Sequence, residues 1–195
     1  MKKVSELKNL LEQNKKKEKI KKEKVDIKWI ITIVIIAFII SFGLSFVANS
    51  TIPNLSLIFG IIITLLFIFI GILFDIVGVA VTSADEAVFH SMNSRKVKGA
   101  NVAVKFKKNA DKTSSFCCDV IGDICGVISG AAGTTICAIL VSKYHTDLLL
   151  TGLVITAIIS SLTIGGKAIG KSFAINKSDI ILYEFAKIVS NFYKN

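Results

Sequence analysis

The sequence predicts an all-α membrane protein, a polytopic helical bundle with about four transmembrane helices and further amphipathic helices at the membrane interface. Of the 195 residues, 52% are hydrophobic, and they fall in long unbroken runs that a soluble domain of this size would not carry. The 24 Lys and Arg residues, which help give a formal net charge of +10, lie outside those runs. This separation is typical of a basic cytoplasmic membrane face near anionic lipid, and it argues against nucleic acid as a partner.

Three regions follow from the pattern of charge and hydropathy. Residues 1–28 are polar and Lys-rich, and they predict a basic cytoplasmic arm that is either solvated or adsorbed on anionic lipid. Residues 29–54 predict an extra N-terminal anchor span and its loop, with Trp29 at the interface. Residues 55–195 predict the main membrane domain.

The main membrane domain is expected to hold three spans and two interfacial segments. The spans are predicted at about 55–83, 119–142 and 148–164, and the interfacial segments at 84–118 and 166–195. The first interfacial segment predicts two amphipathic helices broken near Gly99. A Gly–Gly pair at 165–166 is predicted to end the helix of the last span.

The distribution of positive charge predicts the orientation. Eleven of the 24 Lys and Arg residues precede the first span, seven lie in 84–118 and five follow residue 164, whereas one lies in 143–147. With four spans, 23 of them are on one side. The positive-inside rule therefore predicts a multi-pass protein of the cell (plasma) membrane with both termini in the cytoplasm.

No catalytic pattern is visible. There is no Ser/His/Asp set, no HExxH motif and no pair of carboxylates that frames a pocket, so we do not expect an enzyme. The four cysteines have no zinc-ligand spacing and are expected to be small apolar residues of a helix.

Three glycines recur at intervals of four in the third span. Gly122, Gly126 and Gly130 lie on one helix face, and Ser129 keeps the adjoining surface thin. Such faces let a neighbouring backbone approach closely in membranes. The pattern predicts tight helix packing, or a surface for a partner membrane protein.

Polar residues inside or beside the spans are candidates for a hydrophilic lining. An ionisable residue in a span marks a functional site by default. The alternative is that the carboxylates face neighbouring helices and that the hydroxyls bond back to carbonyls of their own helix. The candidates are Asp75, Glu86, Ser129, Thr156 and Ser160.

Three motifs resemble the membrane domain of the CorC/CorB and cyclin M family of magnesium-transport, hemolysin-like proteins. SADEAVFHS at 83–91 is similar to the end of that family's first core helix, and IGDICGVISGAAG at 121–133 to its glycine-rich helix. IGGKAIGKSFAINKSDII at 164–181 is similar to its last conserved segment. The resemblance covers roughly 56–195, so the family's cytoplasmic regulatory modules are expected to be absent.

The resemblance implies a homodimer with a Mg²⁺ site between its helices. Oxygen ligands suit this hard cation. By position, the resemblance assigns Ser83, Asp123 and Gly166 to the metal site. Lys167 departs from the family, which has Glu there, and an ammonium supplies no ligand and repels a dication.

This departure leaves two interpretations of the ion site. The site is rebuilt from Asp75, Asp85, Asp123 or Glu86, in which case the protein is a divalent-cation (Mg or Co) transporter. In the other interpretation the site is degenerate and transport is lost. The alternative function is a non-transporting membrane scaffold or subunit that binds a partner through its glycine-rich helix face.

Overall fold

The computed structural model describes residues 27–51 and 56–192, and within these ranges all regular structure is helical. Most of the predicted arm 1–28 and most of the loop before residue 56 lie outside the described residues. The helices, which confirm the all-α class, are α1 (Ile27–Thr51), α2 (Leu57–Ser83), α3 (Glu86–Ser94), α4 (Ala100–Lys108), α5 (Ala110–Ser115), a π-helical segment (Phe116–Gly122), α6 (Asp123–Tyr144), α7 (Leu148–Asn176) and α8 (Ser178–Phe192).

Among the described residues, four helices are long and apolar enough to cross a membrane. They are Ile27–Ala48, Leu57–Ser83, Ala110–Tyr144 and Leu148–Asn176. The third of them joins α5, the π segment and α6 without a break in helical backbone. The protein is therefore a membrane protein with four candidate transmembrane helices. The described residues divide into two compact units between Ile35 and Ile36, and every feature described below lies on the C-terminal side of that division.

Helix α2 packs against α5, the π segment, α6, α7 and α8. Its buried face repeats at intervals of three and four, as an α-helical stripe requires. That face is lined mostly by small residues, so neighbouring helices lie close to its backbone. Its members are Gly60, Thr64, Ile68, Gly71, Asp75, Gly78, Ala80 and Val81.

The π segment changes which residues of the third span face α2. At the end of this segment the Asp123 amide donates to the carbonyl of Cys118, which is five residues earlier. In an α-helix the acceptor would be four residues earlier. Such single-turn insertions rotate the helix beyond them and are frequent at functional sites. Gly122 and Cys125 are both buried against α2 as a result, while Asp123 between them stays exposed.

Helices α3, α4 and α8 form a small bundle at the C-terminal end of α2, called the cap bundle below. Its core joins the last turn of α2 to residues of all three helices: Val81, Ala84, Phe89, Ala103, Val104, Leu182 and Ala186. The break predicted near Gly99 is confirmed, because Gly99 has a φ of 88° and precedes α4. A side chain there would meet the Lys187 backbone at 2.9 Å.

Two polar contacts fasten the end of α2 to the cap bundle. The Lys107 ammonium donates to the carbonyls of Val81 at 3.2 Å and Thr82 at 2.8 Å, which are otherwise unsatisfied at a helix end. The Asp179 carboxylate accepts from the Asp85 amide at 2.9 Å. A cation at a helix C-terminus also interacts favourably with the helix dipole.

The prediction that the helix of the last span ends at Gly165–Gly166 is wrong. Helix α7 continues to Asn176 and keeps both glycines in its interior. In a membrane the backbone must satisfy its hydrogen bonds internally, so a glycine pair has less reason to leave the helix than it has in water. Packing also favours continuity, because Ile72 of α2 fills the space above Gly166.

Candidate functional site

Three charged side chains from three different helices meet beside the π segment. The Lys167 ammonium of α7 lies 3.1 Å from Oδ1 of Asp123 at the start of α6. The same ammonium lies 3.8 Å from Oδ1 of Asp75 on α2. We call these three side chains the charge triad.

The charge triad is far along each of its three helices. Its distance from Leu57, Tyr144 and Leu148, at the opposite ends of these helices, is about the thickness of the hydrocarbon core of a bilayer. At the α-helical rise, Asp75 is about 27 Å beyond Leu57 and Lys167 about 28 Å beyond Leu148. By the same rise, Asp123 is about 31 Å from Tyr144. If these helices cross a bilayer, whose hydrocarbon core is about 30 Å thick, the triad falls near the boundary of that core, on the side of the cap bundle.

The three side chains differ sharply in burial. The Asp75 side chain is 5% exposed, Lys167 21% and Asp123 66%. The triad therefore runs from the helix interface out to an accessible surface. Asp123 provides its accessible end, and Asp75 its enclosed end.

Asp75 carries a buried oxygen that no described residue satisfies. Its Oδ1 faces Lys167, but its Oδ2 has no hydrogen-bond partner within the described part of the chain. The neighbouring thiol of Cys118 donates instead to the Asp75 main-chain carbonyl, with a sulfur-to-oxygen distance of 3.7 Å. A buried carboxylate oxygen without a partner is costly, so it marks a place where a ligand would lower the energy.

Small residues make the room for the triad. A Cβ at Gly122 would lie 3.8 Å from the Lys167 ammonium and 3.6 Å from the Gly71 carbonyl. A Cβ at Gly71 would lie 3.1 Å from Cβ of Cys125 and 3.2 Å from the Gly122 carbonyl. The close crossing of α2 and the π segment therefore depends on Gly71, whereas a Cβ at Gly122 would make ordinary contacts.

The residues assigned by resemblance are only partly brought together. Asp123 is in the triad, and Gly166 precedes Lys167 and packs against Ile72. Ser83 is exposed and lies eight residues beyond Asp75, about 12 Å further along α2. Ser83 is thus separated from the triad along the helix.

Two of the four carboxylates considered for a rebuilt site are engaged elsewhere. Asp85 caps α3 by accepting from the Ala87 amide at 2.9 Å. Glu86 lies 3.1 Å from His90 on the surface of the same helix. Asp75 and Asp123 are the two that meet Lys167.

The hydroxyls predicted to share a lining differ in burial. Ser129 is fully buried and donates to the Cys125 carbonyl at 2.7 Å, which is the alternative considered for it. Thr156 and Ser160 are exposed on α7. Ser129 is therefore enclosed by protein, whereas Thr156 and Ser160 lie at the surface of α7.

The glycine face divides in two. Gly122 is buried at the α2 crossing, whereas a Cβ at Gly126 or Gly130 would meet nothing within 4 Å. Close packing inside the chain therefore uses Gly122 alone of the three. The space above Gly126 and Gly130 is open.

Sequence reasoning missed that Lys167 is a partner of both aspartates. Lys167 is separated from Asp123 by 44 positions. A lysine that follows an apolar run reads as an interface marker, and its partners depend on how three helices cross. One signal was present: Asp75 and Lys167 lie at similar distances from the starts of their spans, which places them at one depth.

The comparisons with known proteins add no relative. No family model, no curated protein and no solved structure matches the chain.

Proposed function

We propose that the protein is a membrane cation transporter whose cation site is formed by Asp75 and Asp123, with the Lys167 ammonium as a tethered cation that occupies this site at rest. The observation that carries the proposal is the pair of contacts from one ammonium to carboxylates of two other helices, at 3.1 and 3.8 Å. Carboxylates at the edge of a hydrocarbon layer are expensive, and they are typical of ion pathways. The resemblance to magnesium-transport proteins, with its implied homodimer, favours the same class.

A transported cation would enter from the side of the cap bundle, because Asp123 is the accessible member of the triad. It would compete with the ammonium for the two carboxylates. Among residues 27–51 and 56–192, no group of three or more His, Cys, Asp and Glu is placed to hold a metal ion. We therefore expect the native protein to bind Mg²⁺ weakly at most.

Transport by purified protein in liposomes tests this proposal. Uptake and efflux of Mg²⁺, Co²⁺, Mn²⁺, Na⁺ and protons are compared between the native protein and Asp123→Asn. We expect movement of at least one of these cations, reduced at least tenfold by Asp123→Asn. Asp119→Asn is the matched control, because Asp119 is an exposed aspartate of the π segment. Absence of transport for every cation would contradict the proposal.

The proposed orientation has both termini and the cap bundle in the cytoplasm of a plasma-membrane protein. Cysteine labelling in a Cys-free background checks it. Lys98 is the suitable probe position because it is exposed, whereas its neighbour Ala100 is fully buried. Lys98→Cys is expected to react with a membrane-impermeant maleimide only after permeabilisation. Labelling of intact cells would reverse the orientation.

A second candidate function is a scaffold that binds a partner membrane protein. The open space above Gly126 and Gly130 favours it, since two small residues one turn apart offer a close approach. We expect Gly126→Leu to leave unfolding of the single chain within about 0.5 kcal/mol, because nothing lies within 4 Å of the added Cβ. It is expected to weaken any oligomer measured by crosslinking in membranes. An unchanged oligomer would count against this face, and Gly43→Leu in α1 is a control that also adds a side chain to open space.

A further inference from the structure

We propose that an apolar groove between α2, the end of α7 and α8 binds one acyl chain of an anionic phospholipid, and that Lys177 selects this lipid by contacting its phosphate. The groove, called the α2–α8 groove below, has a volume of about 450 Å³. None of its lining side chains belongs to the charge triad, so the lipid site is independent of cation binding there. Its principal members are Phe74 and Val77 of α2, Phe173 of α7, and Ile180, Phe185 and Ile188 of α8.

The α2–α8 groove is apolar and open to the surroundings of the protein. Phe173 is 55% exposed, Ile180 60% and Ile188 55%, so the lining faces outward. All the described side chains that line the groove are hydrocarbons except that of Glu184. The Glu184 carboxylate lies 3.5 Å from the Lys187 ammonium, and this pair carries no net charge. The groove therefore suits an apolar occupant that approaches from outside the chain.

The depth of the groove indicates what that occupant is. Its α2 side is formed by residues 73–77, which flank Asp75 of the charge triad. If α2 crosses a bilayer, the groove falls near the boundary of the hydrocarbon core, as the triad does. Acyl chains are the solvent at that depth. An unfilled groove would forfeit dispersion contacts, and a lipid chain restores them.

The volume of the groove favours a lipid chain over a helix of a partner protein. Pockets that hold small ligands have volumes of about 300–1,000 Å³. A helix with its side chains is about 10–12 Å wide, so two turns of one occupy about 900 Å³ or more. The 450 Å³ of the groove is about half of that. A partner helix would therefore place only side chains in it, whereas one acyl chain can enter.

Lys177 is the charged residue best placed to select a headgroup. Apolar contacts alone do not distinguish lipids, because their chains are equally apolar. The Lys177 amide donates to the Phe173 carbonyl at 3.0 Å, and the Lys177 carbonyl accepts from the Ile181 amide at 3.0 Å, so this lysine connects two lining residues. Its side chain is exposed and forms no ion pair within residues 27–51 and 56–192. Lys177 directly follows α7, on the cap-bundle side of the triad, where a phosphate would lie above the buried chain.

Photolabelling tests this site on the full-length protein. The protein is reconstituted in phosphatidylcholine vesicles that contain a small amount of phosphatidylglycerol with a diazirine in one acyl chain. Mass spectrometry of peptides locates the adducts. We expect adducts concentrated in residues 73–77 and 173–188, and competition by unlabelled phosphatidylglycerol. Phosphatidylcholine with the same photoreactive chain is expected to label these peptides about fivefold less, because one lysine near a membrane surface contributes about 1 kcal/mol toward an anionic lipid.

A charge series tests the role of Lys177. Lys177→Gln is expected to lower labelling by phosphatidylglycerol about fivefold, to the level of phosphatidylcholine, and Lys177→Arg is expected to retain it. Lys171→Gln is the matched control. Lys171 is an exposed lysine two positions before Phe173, which places it on the opposite side of α7 from the groove. It is expected to leave the preference for phosphatidylglycerol unchanged.

Filling the groove tests the location of the acyl chain. Ile180→Trp and, separately, Ile188→Trp enlarge exposed lining residues, and each is expected to reduce labelling by both lipids. Ile175→Trp is the control, because Ile175 is equally exposed but lies two positions after Phe173, on the opposite side of α7. Thermal unfolding in detergent confirms that each variant is folded, and the Lys177 series tests the proposal without any change in the groove itself.

Three results would overturn the proposal. Adducts spread evenly over the exposed apolar helix faces would show only the general lipid surroundings. Equal labelling of the groove by the two lipids, unaffected by Lys177→Gln, would remove the selection of an anionic lipid. Photocrosslinks that join two copies of the chain through residues 173–188 would show that a second copy occupies the groove instead.

Discussion

Replacing Lys167 by glutamate is expected to raise the affinity of the charge triad for Mg²⁺ strongly. The substitution removes the tethered ammonium and places a third carboxylate between Asp75 and Asp123, which the ammonium now contacts. At ~4 Å and an effective dielectric constant of ~20, repulsion between an ammonium and a dication is about 8 kcal/mol, twice the value for unit charges. Movement of the lysine chain reduces this figure, so we expect Mg²⁺ affinity to rise at least a hundredfold, as measured by calorimetry.

The matched control for this prediction is Lys171→Glu. Lys171 is exposed and lies one turn further along α7, so its replacement makes the same change of charge outside the triad. It is expected to leave Mg²⁺ binding unchanged. Tight Mg²⁺ binding by the native protein, abolished by Ser83→Ala, would show that Lys167 does not disable the site. Absence of binding in both forms would favour the scaffold function.

Replacing Gly78 by leucine is expected to be the most damaging single change to packing. A Cβ at Gly78 would overlap the sulfur of Cys118 and lie 3.1 Å from the Ser114 carbonyl, which belongs to a backbone that cannot yield easily. Overpacking of this kind costs about 1–3 kcal/mol, and the remaining side-chain atoms add to it. Thermal unfolding in detergent is expected to move down by several degrees, or the protein is expected not to accumulate.

Two comparisons make the Gly78 result specific. Gly165→Leu adds the same side chain in α7, where a Cβ meets nothing within 4 Å, and it is expected to be near neutral. Gly78→Ala is expected to be partly rescued by Cys118→Ala, because that change removes the overlapping sulfur. Equal destabilisation by Gly78→Leu and Gly165→Leu would contradict the close crossing.

The sequence alone predicts the long helices well, since apolar runs of this length have few other solutions in a membrane. It fails at Gly165 and Gly166, because the rule that a glycine pair ends a helix holds for soluble proteins. In this protein α7 continues through both glycines. The sequence also misplaces the packing glycines. The interval of four in Gly122, Gly126 and Gly130 is conspicuous, whereas the glycines on the packed face of α2 itself, Gly71 and Gly78, are seven apart.

The candidate site is harder to predict than the helices because it depends on crossings. Asp75 and Asp123 were candidates from their own positions in the spans. The sequence indicates only that the Lys167 ammonium would repel a metal ion. Its contacts with Asp75 and Asp123 are not predictable, because these residues lie far apart in the sequence. The π segment adds a register change that regular α-helical periodicity does not contain, and it lies beside the place where Asp75 and Lys167 meet.

Helix α2 connects the charge triad to the cap bundle. From Asp75 to Ser83 it is an unbroken helix without proline, so an axial shift at one end is transmitted to the other. At the C-terminal end of α2, the Lys107 ammonium donates to the carbonyls of Val81 and Thr82, and the Asp179 carboxylate accepts from the Asp85 amide. If a cation draws Asp75 and α2 away from Lys167, we expect the movement to shift the cap bundle or to break these three hydrogen bonds.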